Sequence, residues 1–378
     1  MMTSMPILGE IPADLTVLLV SVLVCFLIKL TAHWHGKYSI DNLEGVQRFH
    51  ETATPRIGGL AIIFALGVGV LVLHDEPKQL LRTLFILGFF VFSFGFTEDI
   101  TKQVSVAIRL WAGFMPALIG YFMSGVVLRS VGWEPVDALL QFNPVAIIFT
   151  AFAMGGVTHA INIIDGFNGL CTWASIWALT AIMCVAIQVG DTSLAMMLPI
   201  MIAGIAGFLL FNWPFGKLFL GDGGSYLLGL CVGWCSVLLA VRNPTVFPFT
   251  LLLVCVYPVT EVLYSMYRRN KSGKATGQPD RMHLHQLVAI VYIYPGFNQI
   301  TSSPVLKNSL TGFVMSLLMI PTACIAVVFY DRPPIILLAI ALFAAIYVVF
   351  YRNLLAKFHA IVAARKTREA SAPSPSGR

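Results

Sequence analysis

Apolar and polar residues in this chain do not alternate; they come in blocks. Apolar runs fall near residues 15–34, 57–74, 80–97, 106–128, 144–161, 170–190, 193–213, 224–241, 246–266, 309–330 and 334–351. Each is close to the roughly 20 residues that carry a helix across a bilayer. Gly and Pro inside the runs do not argue against helix, because membrane helices tolerate both. The pattern predicts an all-α fold, a polytopic membrane bundle of about 11 transmembrane helices. One further stretch, "LVAIVYIYPGF" at 287–297, is too short to cross and predicts an interfacial or partly buried helix. The chain ends in "RKTREASAPSPSGR", charged and then rich in Ser and Pro. This predicts a single membrane domain over 1–364 and a disordered cytosolic tail over 365–378.

Composition agrees with the blocks. The chain is 58% hydrophobic and 11% charged, against about a quarter charged in ordinary soluble domains. A soluble domain could not hide that much apolar surface. The first fourteen residues hold no Lys or Arg, so the first run is expected to be a retained span rather than a cleaved leader. The seven cysteines all sit in apolar runs without metal-ligand spacing, and are expected to be reduced packing residues. Lys and Arg set the orientation. With the N-terminus outside, 19 fall on the inner side and 5 on the outer. That asymmetry predicts a cytosolic C-terminus and cytosolic polar loops.

Acidic residues are few, and the informative ones sit in three short inner loops. "GFTEDITKQVS" supplies Glu98 and Asp99, "NIIDGFNGL" supplies Asp165, and "FLGDGGSYLLG" supplies Asp222. Any one of them could be a helix cap. Three such loops at one membrane face point instead to a shared site, because carboxylates there are costly to bury and usually functional. Mg²⁺ takes one or two carboxylates and fills its remaining positions with water or phosphate oxygens. Phosphoryl transfer needs that metal, a group that orients the nucleophile, and cations for the developing charge. Asp99, Asp165 and Asp222 suit the first two needs, and Arg48, Lys217 and Arg281 the third. Gly221, Gly223 and Gly224 would let α-helical amides approach a phosphate. "PDRMHLHQ" adds His283 and His285, two apart, which share a side only in an extended segment. Without soft ligands nearby they suit a phosphate better than a transition metal. Glu261, two turns before Arg268, Arg269 and Lys271, could pair with those cations or face a substrate.

These loops, in this order, resemble the polyprenyl-phosphate N-acetylhexosamine-1-phosphate transferases of bacterial membranes, part of glycosyltransferase family 4. Matching elements run from about residue 41 to 286. The resemblance implies a Mg²⁺-dependent enzyme of the inner membrane that starts a cell-surface polysaccharide such as an O-antigen. It would move N-acetylhexosamine 1-phosphate from a UDP-sugar to undecaprenyl phosphate, releasing UMP. By this resemblance Glu98 and Asp99 form the paired-acid motif, with Asp99 as base and, with Asp222, as metal ligand. Asn162, Asp165 and Asn168 fall in the donor-binding loop. Asn212 and Phe219 match a nucleoside pocket, with Phe219 stacking on uracil. His283 and His285, beside Arg281, lie near the donor diphosphate, and Arg48 stands where many members have Lys. The chain departs from the pattern in its Glu-Asp rather than Asp-Asp pair, and in Lys102 and Gln103 where a further acid is common. No nucleic-acid partner is expected, and a homodimer is compatible with the reading.

Two other classes compete. A cation- or proton-coupled transporter would carry acids at the bilayer midplane, where Glu261 is the single candidate. An enzyme exchanging CDP-activated alcohols would follow "DG" with Ala-Arg, whereas here "FNGLC" follows.

Overall fold

In lipid a backbone amide finds no partner except another backbone group, so each apolar run is driven to close its own hydrogen bonds as a helix. The computed structural model of the chain follows this rule. It describes residues 11–40, 54–273, 280 and 282–371, with the backbone alone at 365, 366 and 368–371. Among the described residues the only extended pairing is one isolated bridge, Ile40 to Pro55. The first half of the chain forms α1 (Ala13–Leu30), α2 (Ala32–Ser39), α3 (Gly59–Val72), α4 (Asp75–Thr101), α5 (Val106–Ser124), α6 (Glu134–Leu140), α7 (Asn143–Ile163) and α8 (Leu170–Val189). The second half forms α9 (Thr192–Asn212), α10 (Gly221–Arg242), α11 (Phe249–Val254), α12 (Val256–Lys271) and α13 (Leu284–Val288). A π-helical turn, Ala289–Ile293, then leads to α14 (Tyr294–Gly296), α15 (Pro304–Ser316), α16 (Met319–Val328) and α17 (Pro333–Ser371).

Every one of the apolar runs becomes helix, but not every one reaches spanning length. Among the described residues nine segments do: α1, α4, α5, α7, α8, α9, α10, the continuous α15–α16 and α17. The run at 57–74 gives only the 14 residues of α3. The run at 246–266 is interrupted at Cys255, between α11 and α12. Pro258 supplies a reason: it has no N–H for the Val254 carbonyl, and its ring crowds that oxygen. The stretch at 287–297 is helical and too short to cross, as expected. The tail differs from expectation, since α17 continues through 365–371. Its residues there are good helix formers, and no Pro intervenes before position 373; residues 372–378 lie outside the described ones. All seven cysteines are unpaired.

α10 is the axis of the bundle. Of its most apolar stretch 89% is buried, against 17% for the peripheral α17. α4 and α7 flank it. The α4–α10 crossing is close because Gly95 faces the backbone of Gly223: a Cβ at Gly95 would sit 2.5 Å from the Gly223 nitrogen. Small residues permit such approaches in membrane bundles. The crossing brings the end of α4 against the start of α10, and the polar residues of both helices meet there.

Candidate active site

Local chemistry fixes the end of α4. Lys102 adopts φ 56°, and its amide returns to the Glu98 carbonyl at 2.9 Å, which closes the helix. The Glu98 carboxylate then accepts the Val104 amide at 2.8 Å and holds the turn. One residue on, Asp99 faces inward and is buried. Its Oδ1 accepts the Asp222 amide and its Oδ2 the Gly223 amide, both at 2.9 Å. Asp99 therefore caps α10 from a neighbouring helix, satisfying two amides that the first turn leaves unpaired. The expectation that these amides await a phosphate is corrected: Asp99 already holds two of them. Gly221 starts the turn at φ +79°, and a Cβ there would lie 2.3 Å from the Arg56 carbonyl and 2.5 Å from Asp99 Oδ2.

Two arginines close on this cap. Arg56 Nη2 donates to Asp222 Oδ1 at 2.8 Å, and its Nε lies 3.5 Å from Asp99 Oδ1. Arg109, in the first turn of α5, donates to Asp222 Oδ2 at 2.9 Å and lies 4.0 Å from Glu98 Oε1. Side chains from three separate segments, at 56, 98–109 and 222, thus form one charge cluster. Of the cations named from the sequence, Lys217 alone is among the described residues. Lys217 is exposed, its Nζ 5.4 Å from the Phe215 ring, and Arg48 and Arg281 lie outside the described residues.

The loop after α7 brings Asp165 to the same cluster. Its asparagines hold it in place. Asn162 Nδ2 donates to Ser225 Oγ at 2.7 Å, joining α7 to the start of α10. Asn168 donates its amide to Asn308 Oδ1 at 2.8 Å and its Nδ2 to Ser309 Oγ at 3.1 Å. Asn212 accepts the Gly169 amide at 2.6 Å and donates to the Leu218 carbonyl at 2.9 Å. Asn168 and Asn212 are both buried, and they brace loops rather than line an open surface. Asp165 differs: among the described residues its carboxylate receives no hydrogen bond, and it lies within electrostatic reach of Arg56, Asp222 and Asp99. Desolvation pushes its carboxyl up to about 7, with Asp222 and Asp99 adding to the shift and Arg56 opposing it. Phe219 is half-buried, and its backbone pairs with Pro55 and Gly58.

The histidine segment abuts this loop. His283 and His285 do share a side: their rings stack with centroids 5.3 Å apart and planes 13° apart. His285 is buried; its ring meets Phe167 edge-on at 5.6 Å, and its Nε2 lies 3.2 Å from where a Gly166 Cβ would be. Burial, and secondarily His283, hold His285 well below its usual titration range against Asp280, so it is neutral. His283 bonds Glu261 through Nδ1 at 2.9 Å. Glu261 is therefore a partner of the histidine segment rather than of the basic cluster that follows it.

The donor set can be compared with what Mg²⁺ requires. Among the described residues no three His, Cys, Asp or Glu side chains form a ready metal cage. Mg²⁺ needs only one or two carboxylates beside water and phosphate. Asp222 and the undonated Asp165 fit that need. Asp99 fits it less well, because both its oxygens are committed to α10. Arg56 and Arg109 are the site residues that sequence reading missed. Their partners are 166 and 113 positions away, and position at an inner loop end was the one signal they offered.

Comparison with known proteins bears on this geometry. The family pattern described as "Glycosyl transferase family 4" matches residues 81–240. An undecaprenyl-phosphate alpha-N-acetylglucosaminyl 1-phosphate transferase of Yersinia pestis is 29% identical over 265 residues, 67% of this chain and 70% of that protein. Over residues 81–240 the chain is similar to glycosyl transferase family 4. An Escherichia coli (strain K12) protein of the same name is 28% identical over 266 residues, 67% of this chain and 70% of that one. A Bacillus subtilis (strain 168) protein, named a probable undecaprenyl-phosphate N-acetylglucosaminyl 1-phosphate transferase, is 26% identical over 292 residues, 72% of this chain and 80% of its own. The family 4 match contains Glu98, Asp99, Arg109, Asp165 and Asp222 and ends before Glu261 and the histidines. The transporter alternative gains no support, since each of these relatives is named as a transferase.

Proposed function

We propose that this protein transfers N-acetylhexosamine 1-phosphate from a UDP-sugar to undecaprenyl phosphate and releases UMP. What carries this reading is the cluster of Asp222, Asp99, Glu98, Arg56 and Arg109, beside which Asp165 has no donor among the described residues. N-acetylglucosamine, the sugar in the relatives' names, is the first donor to test. The acceptor's phosphate is anchored at headgroup level by its lipid tail, while the donor arrives from water. A site where loops meet the bundle end suits both, and the excess of Lys and Arg on that side makes it cytosolic.

In the transfer an acceptor phosphate oxygen bonds to the donor's β-phosphorus. The bond from that phosphorus to the bridging oxygen breaks, and UMP leaves with the electron pair. Arg56 and Arg109 are placed to offset charge building on the transferred group. Mg²⁺ held by Asp222 and Asp165 would neutralise the diphosphate. The acceptor, a phosphate monoester with a second pKa near about 6, is largely ionised at neutral pH. No base need then touch it, which accords with Asp99 serving as a cap. Phe219 remains the proposed platform for uracil, and His283 and His285 the side of the donor diphosphate. Arg48 and Arg281 keep their proposed substrate roles from the resemblance alone.

The test is UMP release by the purified chain, with undecaprenyl phosphate and Mg²⁺, across a panel of UDP-sugars. Release with a UDP-N-acetylhexosamine, matched by a lipid-linked diphosphate sugar, is expected. No release with any donor from monodisperse, folded protein would reject the proposal.

A further inference from the structure

Glu261 is buried on α12, at 1% exposure. Such a group is costly unless donors fill it. Here three do, from two other parts of the chain. His283 Nδ1 lies 2.9 Å from Oε1, the Leu284 amide lies 3.2 Å from each oxygen, and the Tyr347 hydroxyl of α17 donates to Oε2 at 2.9 Å. The segment is pinned again one residue away, where Tyr351 donates to the Met282 carbonyl at 2.7 Å. The His283 amide bonds Gln286 Oε1 at 3.1 Å, so the backbone is fixed as well as the ring.

Contacts on one imidazole nitrogen decide what the other can do. With Nδ1 turned inward to Glu261, Nε2 is the nitrogen left for a ligand. Around the ring stand Glu261 of α12, Asp280 with Oδ2 4.0 Å from Nε2, and the stacked His285. Arg268 and Ser265 hold Asp280 from α12, and Tyr347 and Tyr351 complete the enclosure from α17. The stacked His285 reaches the Asp165 loop through Phe167.

We propose that Glu261, itself held by Tyr347, is a positioning residue for His283: it fixes the imidazole so that Nε2 meets a phosphate oxygen of the nucleotide donor. The proposal rests on the transferase reading above. It gives α17 a part in the reaction that its peripheral place in the bundle does not suggest. Nε2 and the phosphate oxygen share a proton in a charge-assisted hydrogen bond, and no covalent step is involved.

A double-mutant cycle with the full-length purified chain tests it, using UMP release from UDP-N-acetylglucosamine as readout. Glu261→Gln lowers kcat/KM by roughly 10- to 100-fold, the usual loss when a residue that orients an active imidazole is replaced. Tyr347→Phe lowers it by less. Glu261→Gln added to His283→Ala gives no further loss, because Glu261 acts through the ring. A wild-type rate for Glu261→Gln would overturn the proposal, as would an undiminished extra loss in the His283→Ala background. Should Glu261→Gln melt far below the wild type, the same cycle is run with Tyr347→Phe, which removes one hydroxyl and keeps the ring; the same two outcomes decide. A wild-type chain that releases no UMP from any donor would instead reject the transferase reading.

Discussion

The two ends of α10 carry similar groups and use them differently. At its C-terminal end Arg242 donates to Asp191 through Nε at 2.8 Å and Nη2 at 3.0 Å, and to Glu76 through Nη1 at 2.7 Å. Asn243 and the Leu194 amide also donate to Asp191, and Ser193 donates to the other Glu76 oxygen. Every carboxylate oxygen there has a donor. At its N-terminal end four acids, Glu98, Asp99, Asp165 and Asp222, face two arginines among the described residues, and none of these residues donates to Asp165. The titration of two loop residues records the contrast. Burial would raise Asp191, but Arg242, Asn243 and the Leu194 amide outweigh it and hold the carboxyl below its ordinary range. Asp165 is pushed up to about 7. A satisfied cluster ties helices together; a carboxylate without a donor keeps its capacity to bind a cation.

Breaking the N-terminal end of α10 has the largest expected effect. Asp222→Asn removes the charge that both arginines share, and turnover falls on the order of a thousandfold. Its melting temperature in detergent stays near the wild-type value. Gly95→Ala is next. It pushes a methyl into the Gly223 backbone, costs about 1–3 kcal/mol, and lowers activity because the α4–α10 crossing carries Asp99; thermal unfolding and UMP release read the two effects. Asp191→Ala at the C-terminal end costs about 2 kcal/mol, less than a fully buried pair because Arg242 is partly exposed, and leaves kcat unchanged.

The smallest effect is on pH dependence, and the two ends have opposite sign. The folded chain holds the Asp165 proton to higher pH than the unfolded chain, whose carboxyl has the ordinary value of 3.8. Its contribution to stability is full below 3.8 and lost as pH rises through about 7. Asp165→Asn should therefore gain melting temperature over the wild type from pH 5 to pH 8, in metal-free buffer, while losing activity. Asp191 contributes above 3.8 and loses that contribution in acid. Asp191→Asn then differs most from the wild type at neutral pH and least in acid.

Much of this was legible in the sequence because it is written in local composition. Blocks of apolar residues become helices wherever lipid leaves no alternative, and three acidic inner loops reveal a shared face. Long-range pairing was not legible. Nothing near Arg56 or Arg109 names Asp222 as partner, and nothing near Asp99 says that its oxygens cap α10. Asn168 and Asn212 were read as binding residues because amides suit substrates as well as loops; their buried bonds to Asn308, Ser309, Gly169 and Leu218 appear only once helices from distant parts of the chain pack. Glu261 was left between a cation and a substrate, and its partner was a histidine 22 positions on.

On the proposed function, one end of α10 is chemical and the other structural. Turnover of Asp222→Asn and Asp191→Asn, measured side by side as lipid-linked product from UDP-N-acetylglucosamine, tests it most directly. Near-complete loss is expected for Asp222→Asn and a wild-type rate for Asp191→Asn in equally folded protein. Equal rates for the two variants, or a greater loss for Asp191→Asn, would contradict it.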